Sequence, residues 1–456
     1  MSMTRSPNHQ GVSDNRGRGL SRKQFLGLGA GAVAGLLAGC RGGPQNNPAL
    51  REQSGSGTGG TEYKGPKVEL QFWNGLTGGD GPYMRRMIRQ FNAEHDNIQV
   101  KMSAYPWEEY YQKLATSVQS GRAPDIGIIH LENLPTHAAR RVVAPLDDVA
   151  EALNLKETDF VSTVWQAGIY KGQRYGIPLD VHPIAFFYNK TSMSRAGLDP
   201  ENPPTTREDY EAALEEFKRA GIQAHWVFPG AWPHFPILVW QFGGDLYNED
   251  ATEARFNSPE AIEGLTWLVN LIKKGYSPKN VGAGADFVGF QNGKNPFWWH
   301  GPWNINAFNE VENLDWGVTE LPVIGSQKAA LAGSHNLVLP RQRTPDSNRI
   351  DAAKVFINWL SKNSLEWAKA GQVPARNSVR ESTEFADLTA QAEFAKELDY
   401  VRFFPPVPGV QDVYGQTVEP AVNKVLLLKQ DPKSALDEAT ERANKLLKEN
   451  REKYGA

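Results

Sequence analysis

The sequence predicts an α/β fold, in which a parallel sheet is covered by helices. Short apolar segments alternate with amphipathic helical patterns from Val68 to Ile129, in the order strand, helix, strand, helix, strand. This order is typical of a parallel sheet with helical crossovers. The chain has 456 residues, which is enough for two domains of ordinary size. It has one cysteine, so no disulfide framework is available and the core depends on burial alone.

The first elements follow from the spacing of apolar residues. Residues 68–73 alternate between apolar and polar side chains, as a half-buried strand does. The next segment is predicted to be a helix, because its apolar residues recur at i, i+3, i+4 and i+7: Met84, Met87, Ile88 and Phe91. Residues 98–102 and 126–129 are further strands. Between them lies a second helix, which Gly121 is placed to end.

The later elements are predicted from capping residues as well as periodicity. Residues 185–188 form a strand, and Thr205 and Glu208 have capping-box spacing at the start of the following helix. Ser258 and Pro259 provide a cap and an N1 proline for another helix. A last amphipathic helix spans residues 436–447. No internal repeat is present.

The N-terminal 40 residues are typical of a bacterial lipoprotein signal. A basic stretch around Arg22 and Lys23 precedes an apolar run that ends in Leu37-Ala38-Gly39-Cys40. The run has only about 15 residues, whereas a spanning helix needs about 20. We therefore expect residues 1–39 to be removed and Cys40 to be lipidated, which places the protein at the outer face of the cell membrane. The basic stretch also resembles a twin-arginine signal with Lys23 in the second position, so the export route stays open.

Composition narrows the possible functions of the exported part. Residues 40–66 are rich in Gly, Ser, Asn and Thr and are predicted to be a flexible linker. The leader is basic, so the rest of the chain is more acidic than the formal net charge of −3. Nothing suggests a nucleic-acid groove, which needs clustered Lys and Arg. Motifs of zinc proteases, serine hydrolases, P-loops and EF-hands are absent. A carboxylate pair for glycoside hydrolysis, such as Glu132 with Asp180, stays open.

Several segments together resemble the extracellular solute-binding proteins of ABC importers, in the sugar-binding branch that includes maltose-, trehalose- and glycerol-3-phosphate-binding proteins. Their order and spacing cover about 390 residues and carry the resemblance: Gly121-Arg122-Ala123-Pro124-Asp125-Ile126, Tyr175-Gly176-Ile177-Pro178, Phe187-Tyr188-Asn189-Lys190, Gly197-Leu198-Asp199-Pro200, Gln241-Phe242-Gly243-Gly244-Asp245, Gly301-Pro302-Trp303 and Phe356-Ile357-Asn358-Trp359-Leu360-Ser361.

The resemblance implies a type II periplasmic-binding-protein-like fold, with two α/β lobes, hinge strands and a ligand cleft between the lobes. The N-terminal lobe is expected to comprise residues 67–181 and 333–380, and the C-terminal lobe residues 182–332 and 381–456. Hinge crossings are expected near residues 178–183 and 331–336. The implied function is capture of a mono- or oligosaccharide and its delivery to ABC permease subunits, by a monomer that needs no cofactor or metal and is not an enzyme.

A sugar cleft combines aromatic faces for the C–H surface of the ring with polar groups for its hydroxyls. Ligands of open α/β sheets lie at the carboxyl ends of strands, which makes Trp73, His130 and Glu132 candidates. Trp73 is equally compatible with the core, and Glu132 with a solvated loop. Asp80, in a Gly-rich loop, is a candidate or a solvated turn residue. Trp107 occupies a position that contacts ligand in relatives, although it could instead be a hydrophobic staple.

Further candidates lie in the first crossing and in two aromatic segments. Asp180 and His182 are in the crossing, and His182 matches a ligand-contacting position of the family, although a lone His is usually structural. Trp232 lies in a Pro-rich loop where periodic core packing is not expected. Trp303 resembles the Trp that stacks on sugar in the family. Trp299 is a candidate too, with one residue of the Trp298–Trp299 pair expected in the core.

The second crossing and the C-terminal region complete the set. Gly333, Ser334 and His335 match a crossing where relatives offer backbone N–H groups to the ligand. Asp412 and Tyr414 are expected in a late Pro- and Gly-rich loop. Phosphate-binding relatives place an Arg in this region, whereas no Arg lies between Phe403 and Lys424. An acid there would repel a phosphate, so a neutral carbohydrate is favoured. A glycerol phosphate or glycerophosphodiester ligand and an exported carbohydrate hydrolase stay as alternatives.

Overall fold

A computed structural model describes residues 62–228 and 232–455. The predicted signal segment, Cys40 and most of the predicted linker lie outside these residues. Within the described part of the chain, no helix is both long and apolar enough to cross a membrane.

The strands, in chain order, are β1 (Val68–Asn74), β2 (Ile98–Ala104), β3 (Ile126–His130), β4 (Ile169–Tyr170), β5 (Gln173–Arg174), β6 (Ile177–Pro178), β7 (Asp180–Pro183), β8 (Ala185–Asn189), β9 (Phe297–His300), β10 (Trp316–Thr319), β11 (Ala330–Gly333), β12 (His335–Val338), β13 (Val373–Pro374) and β14 (Val401–Arg402). The helices are α1 (Gly81–Glu94), α2 (Trp107–Ser120), α3 (Leu134–Ala139), α4 (Asp147–Ala152), α5 (Ser162–Ala167), α6 (Lys190–Arg195), α7 (Arg207–Arg219), α8 (His234–Gln241), α9 (Pro259–Lys273), α10 (Ala285–Gln291), α11 (Ile305–Asn309), α12 (Ser347–Lys362), α13 (Ser364–Ala368), α14 (Asn377–Arg380), α15 (Thr383–Ala386), α16 (Thr389–Ala395), α17 (Val410–Leu426) and α18 (Pro432–Tyr454). The 3-10 segments of the described residues are Leu131–Asn133, Glu157–Asp159, Pro302–Asn304 and Lys396–Asp399.

The first lobe is built on a five-stranded sheet with the order β2-β1-β3-β12-β6. β1 is parallel to both β2 and β3, which confirms the predicted parallel arrangement. The periodic apolar face of α1 is buried, and α12 packs against β1. Gly121 ends α2 in the left-handed conformation (φ 71°), which glycine adopts without steric cost. This sheet therefore presents the carboxyl ends of β1 and β3 at one edge.

The second lobe is built on a three-stranded antiparallel sheet with the order β10-β8-β9. β8 is the central strand and all its residues are buried. α16 packs against β10, and the C-terminal helices α17 and α18 pack against each other and against α9. Phe186 and Phe187 point to opposite faces of β8 and are buried in two separate apolar clusters, so both faces of this sheet are covered.

The two lobes are joined by a four-stranded sheet with the order β13-β7-β11-β14. The chain passes through β6, β7 and β8 in succession, so it leaves the first sheet, crosses the hinge sheet and enters the second sheet within 13 residues. β11 and β12 make a second crossing, and β7 pairs antiparallel with β11. These crossings coincide with the expected hinge positions. The residue boundaries of the lobes stay a prediction.

Two local predictions were wrong. The cap of α7 is Thr206 rather than Thr205, because its hydroxyl accepts a hydrogen bond from the backbone N–H of Asp209 at 3.2 Å and donates to the Asp209 carboxylate at 2.8 Å. The capping pair is therefore shifted by one residue. Asp412 and Tyr414 lie on helix α17, not in a loop. Gly409, with φ 79°, precedes the first residue of that helix, and the Pro- and Gly-rich signal ends there.

Candidate functional site

A cavity of about 430 Å³ lies where the first lobe, the second lobe and the hinge sheet meet. This volume is within the range of small-molecule sites. Residues of all three parts line it: Gly75, Thr77, Gly78, Gly79, Asp80, Trp107, His130, Glu132, His182, Ile184, Trp232, Trp303, Leu331, Ala332, Gly333, His335, Gln372, Phe403, Phe404 and Gln411. Nine of the sequence-predicted residues are among them: Asp80, Trp107, His130, Glu132, His182, Trp232, Trp303, Gly333 and His335.

Asp180 lies behind the cavity wall and positions two of its histidines. Its side chain is fully buried and accepts hydrogen bonds from the backbone N–H of His335 at 2.8 Å and from Trp367 Nε1 at 2.7 Å. Nδ1 of His335 lies 2.7 Å from Oδ2, and Nδ1 of His182 lies 3.3 Å from Oδ1. Since an ionised carboxylate only accepts, both rings carry their proton on Nδ1. Asp180 therefore orients the rings and does not itself reach the cavity.

Charges within this network shift the pKa values of Asp180 and His335. Burial alone raises the pKa of Asp180, but the charge of His335 and the hydrogen bonds from both histidines outweigh it and hold that pKa well below its ordinary value. Burial alone lowers the pKa of His335, yet Asp180 and the more distant Asp80 and Glu132 raise it above the ordinary value. The Asp180–His335 pair is therefore an ion pair over a wide pH range.

The other two imidazoles are neutral. Burial, followed by the positive charge of His335, lowers the pKa of His130 well below its ordinary value. Burial also lowers the pKa of His182, against the opposing effect of Asp180. Nδ1 of His130 lies 2.8 Å from the Tyr111 hydroxyl, which also accepts a hydrogen bond from the His130 backbone N–H at 3.2 Å. The ring centroids of the three histidines lie 4.7–5.8 Å apart.

The aromatic wall of the second lobe is formed by Trp232 and Trp303. Their rings are stacked, with centroids 6.3 Å apart and an interplanar angle of 27°. His182 and His300 each meet Trp303 edge-on, at 5.8 and 5.0 Å. Gly301 lies against one face of Trp303 so closely that a methyl group there would overlap the ring. Both tryptophans are half-buried, so they offer apolar surface to a ligand in the cavity.

Trp107 lines the cavity but its ring is largely covered by protein. A methyl group on Gly75 would overlap the Trp107 ring, and the centroid of His130 lies 4.0 Å from it. His335 is stacked nearby, at 5.6 Å and 19°. Trp107 therefore supports the positions of the two histidines and presents only part of its surface to the cavity.

Asp80 and Glu132 are the acidic residues of the lining. Burial raises the pKa of both carboxyl groups, and the charge of His335 partly opposes this. Oδ1 of Asp80 is buried without a hydrogen-bond partner. Among the lining residues within the described part of the chain, none is Lys or Arg. The cavity is thus aromatic and acidic.

Six sequence-predicted residues do not line the cavity. Trp73 packs edge-on against Tyr105, and the Asp180 carboxylate is enclosed by its four donors. Ser334 is buried, and its hydroxyl lies 3.2 Å from Nδ2 of Asn336, which donates to it. The remaining three are Trp299, Asp412 and Tyr414.

The physical reasons for these three differ. Trp299 is fully buried and stacks on His234 at 5.3 Å, and its neighbour Trp298 is buried too, because both faces of the sheet are covered. Tyr414 is fully buried on α17, against Phe404. Asp412, on the same helix, points to solvent.

Sequence reasoning missed four residues that are clear in the structure. Gln372 is fully buried and lines the cavity, and neither its amide oxygen nor its amide nitrogen has a hydrogen-bond partner. Gln411 lines it too, with its amide oxygen buried and unpartnered. Phe403 and Phe404 add apolar surface. No local sequence pattern points to Gln372. Gln411 precedes the predicted Asp412 by one residue on α17, so a helical assignment of this segment would have indicated it.

Asp180, His182 and His335 are also the one group in the described residues with metal-ligand spacing, with ligand atoms within 4.8 Å of one another. Both carboxylate oxygens are already engaged by ring and backbone donors. The group therefore fits a hydrogen-bonded network better than a metal site.

Two lobes, hinge strands and a ligand-sized cavity between the lobes define a two-lobe binding protein. Comparison with known proteins gives the family: residues 86–393 match the bacterial extracellular solute-binding protein family, and the chain belongs to it. The sn-glycerol-3-phosphate-binding periplasmic protein of Shigella flexneri is 25% identical over 414 residues, which cover 83% of this chain and 92% of that protein.

Solved structures agree with this fold. The cyclic alpha-maltosyl-1,6-maltose binding protein of Arthrobacter globiformis is 26% identical, with a TM-score of 0.71 over 84% of this chain and all of that chain. The GacH receptor of Streptomyces glaucescens is 20% identical, with a TM-score of 0.75 over 84% of this chain and 99% of that chain.

Proposed function

We propose that this protein captures a carbohydrate that carries no phosphate group and delivers it to an ABC permease. The observation that carries the proposal is the cavity itself. It combines the Trp232–Trp303 surface with unpartnered polar atoms of Asp80, Gln372 and Gln411, and no Lys or Arg is among its described lining residues. Apolar ring faces and many hydroxyl groups on one small molecule match this lining.

The relatives include binding proteins for carbohydrates and for glycerol phosphate, and the cavity lining favours the carbohydrate. The Arthrobacter globiformis protein, at 26% identity, is a cyclic alpha-maltosyl-1,6-maltose binding protein. The Shigella flexneri relative binds sn-glycerol-3-phosphate, an anion. Among its described lining residues, the cavity presents two carboxylates and no permanent cation to a ligand. A phosphate ester there would be repelled by Asp80 and Glu132.

Ligand capture would be coupled to closure of the lobes. Thr136 on α3 of the first lobe accepts a hydrogen bond from the backbone N–H of Gly409, at the start of α17, at 2.9 Å. Arg140 also donates to the Tyr454 hydroxyl at the end of α18, at 2.9 and 3.1 Å. These contacts join the two lobes. A ligand that bridges both walls would shift the population toward this arrangement.

Binding without chemistry is part of the proposal. Glycoside hydrolysis needs two carboxyl groups facing the sugar, one of which acts on water or on the anomeric carbon. The Glu132–Asp180 pair does not satisfy this, because four donors enclose the Asp180 carboxylate. Asp80 and Glu132 also line the cavity, and intact recovery of the ligand is the test for that pair. Because the family and the relatives are binding proteins, we propose that the protein is not an enzyme.

The anchor belongs to the proposal as well. The sequence Leu37-Ala38-Gly39-Cys40 supports lipidation at Cys40 and attachment to the outer face of the cell membrane. A Cys40→Ser variant should move from the membrane fraction to the soluble exported fraction. A variant that stays with the membrane would show that another anchor is present.

The test of function is a thermal-unfolding screen of the purified full chain against neutral mono- and oligosaccharides, polyols and glycerol phosphates, with analysis of the recovered ligand. A ligand at 100 times its dissociation constant adds about 2.7 kcal/mol of stability. A carbohydrate that stabilises the protein and is recovered intact supports the proposal. Stabilisation by glycerol phosphates alone would overturn it, and a cleaved sugar would identify a hydrolase.

A further inference from the structure

The charges around the cavity do not balance. The Asp180–His335 ion pair is internally neutral, and His130 and His182 carry no charge because burial lowers their pKa values. The two remaining acidic groups, Asp80 and Glu132, have no Lys or Arg opposite them among the described lining residues. The protein therefore supplies two carboxylates without a matching cation.

Asp80 lines the cavity and does not cap the helix that it precedes. It occupies the N-cap position of the 14-residue helix α1, where an Asp side chain normally accepts a backbone N–H of the first turn. No such side-chain bond is present. The residue is 8% exposed, lines the cavity, and its Oδ1 has no hydrogen-bond partner. The N-terminus of α1 favours the ionised form of this carboxylate.

Glu132 approaches the cavity from another element. It lies in the 3-10 segment Leu131–Asn133, directly after β3, and is half-buried. Its carboxylate makes no hydrogen bond or ion pair with other described residues. Burial raises its pKa, as for Asp80, because the ionised form loses water, and its own backbone N–H and the charge of His335 compensate only in part.

We propose that the ligand carries a protonated amino group, so that the site takes an amino sugar or an amine-containing oligosaccharide, with Asp80 as the partner of the ammonium group. The inference rests on the proposed function and narrows its ligand class. The hydroxyl groups of an uncharged sugar can donate hydrogen bonds to these carboxylates, but closing the lobes over it leaves both partly dehydrated without a counter-charge, which is costly. An ammonium group supplies the missing charge and three hydrogen-bond donors, and charge-assisted bonds to a carboxylate are the stronger kind.

The experiment compares matched sugars by isothermal titration of the full chain at pH 7 and low salt. Each neutral α- or β-linked disaccharide is paired with the counterpart in which one hydroxyl is replaced by an amine, and with the N-acetylated form of that amine. We expect at least one free amine to bind about tenfold tighter or more than both counterparts, because a single unit charge near a partly buried carboxylate has at least this effect.

Variants locate the effect. Asp80→Asn keeps the shape and removes the charge, so the preference for the amine should disappear. Glu132→Gln, on a separate element, should reduce the preference for the amine. This variant gives an independent measurement if Asp80→Asn fails to fold. Asp148→Asn, on the exposed face of α4, is the matched control and should keep the preference unchanged.

The outcomes separate this inference from the proposed function. Binding of neutral sugars with no gain from any amine would overturn the inference and leave the proposed function standing. A preference that persists in both Asp80→Asn and Glu132→Gln would overturn the assignment of these carboxylates. If no sugar of either kind binds, both proposals fail.

Discussion

Replacing Asp180 by Asn should strongly destabilise the protein, because the carboxylate joins three separate elements. It lies on β7 of the hinge sheet and accepts hydrogen bonds from His335 on β12 and from Trp367 on α13. Asn has nearly the same shape, but its amide nitrogen would face groups that are themselves donors, and His335 would lose its counter-charge. Removing one partner of a buried ion pair costs about 3–5 kcal/mol, a large part of the total stability of a typical protein.

The pH dependence of this loss follows from the two shifted pKa values. The pKa of Asp180 is lowered in the folded state, so its contribution to stability is present above the ordinary value of about 4 and is lost as pH falls through the folded pKa. The pKa of His335 is raised, so its contribution is complete below about 6.5 and is lost as pH rises through the folded pKa. The difference in unfolding free energy between parent and Asp180→Asn should therefore be largest at about pH 5–6.

The assay is urea unfolding followed by tryptophan fluorescence, at intervals from pH 3 to pH 9. Trp367→Phe is a milder change at the same site. It removes one hydrogen bond to the Asp180 carboxylate and should lower the unfolding free energy by about 1 kcal/mol. Asp148→Asn, an exposed acid on α4, should stay within about 0.5 kcal/mol of the parent. A loss below about 1 kcal/mol for Asp180→Asn, with no dependence on pH, would refute the reasoning.

Three further changes test other parts of the molecule. Trp303→Ala removes half of the stacked pair and should weaken sugar binding about 10- to 100-fold by calorimetry, with the thermal midpoint nearly unchanged; unchanged affinity would contradict the aromatic wall. In Gly333→Ala, the added methyl group would overlap the ring of His182, so the ring should be displaced and both ligand affinity and thermal stability should fall. Affinity and stability equal to those of the parent would show that the ring moves freely. Glu397 is fully buried, and burial raises its pKa well above the ordinary value, so its ionisation costs stability as pH rises. Glu397→Gln should therefore raise the unfolding free energy at pH 7 but not at pH 4, whereas an equal effect at both pH values would contradict a raised pKa.

The sequence alone was sufficient for the elements whose signals are local. The apolar spacing of α1, the capping pair Ser258–Pro259 of α9 and the helix-ending Gly121 all depend on neighbours within one or two turns. The parallel strands of the first lobe follow from the order of such elements. The hinge crossings, in turn, followed from resemblance to a family and not from any local pattern.

Tertiary structure decided which polar and aromatic side chains meet. Asp180 and His335 are 155 residues apart and become partners only because β7 and β12 are neighbours in space. Trp299 and Tyr414 are residue types that are common in sugar sites, but in the folded protein both are fully buried. Gln372 carries no local signal, yet chain folding leaves its amide unpartnered at the cavity wall. Local sequence patterns indicate which face of a single helix or strand is apolar. A ligand site depends instead on contacts between elements that are distant in the chain.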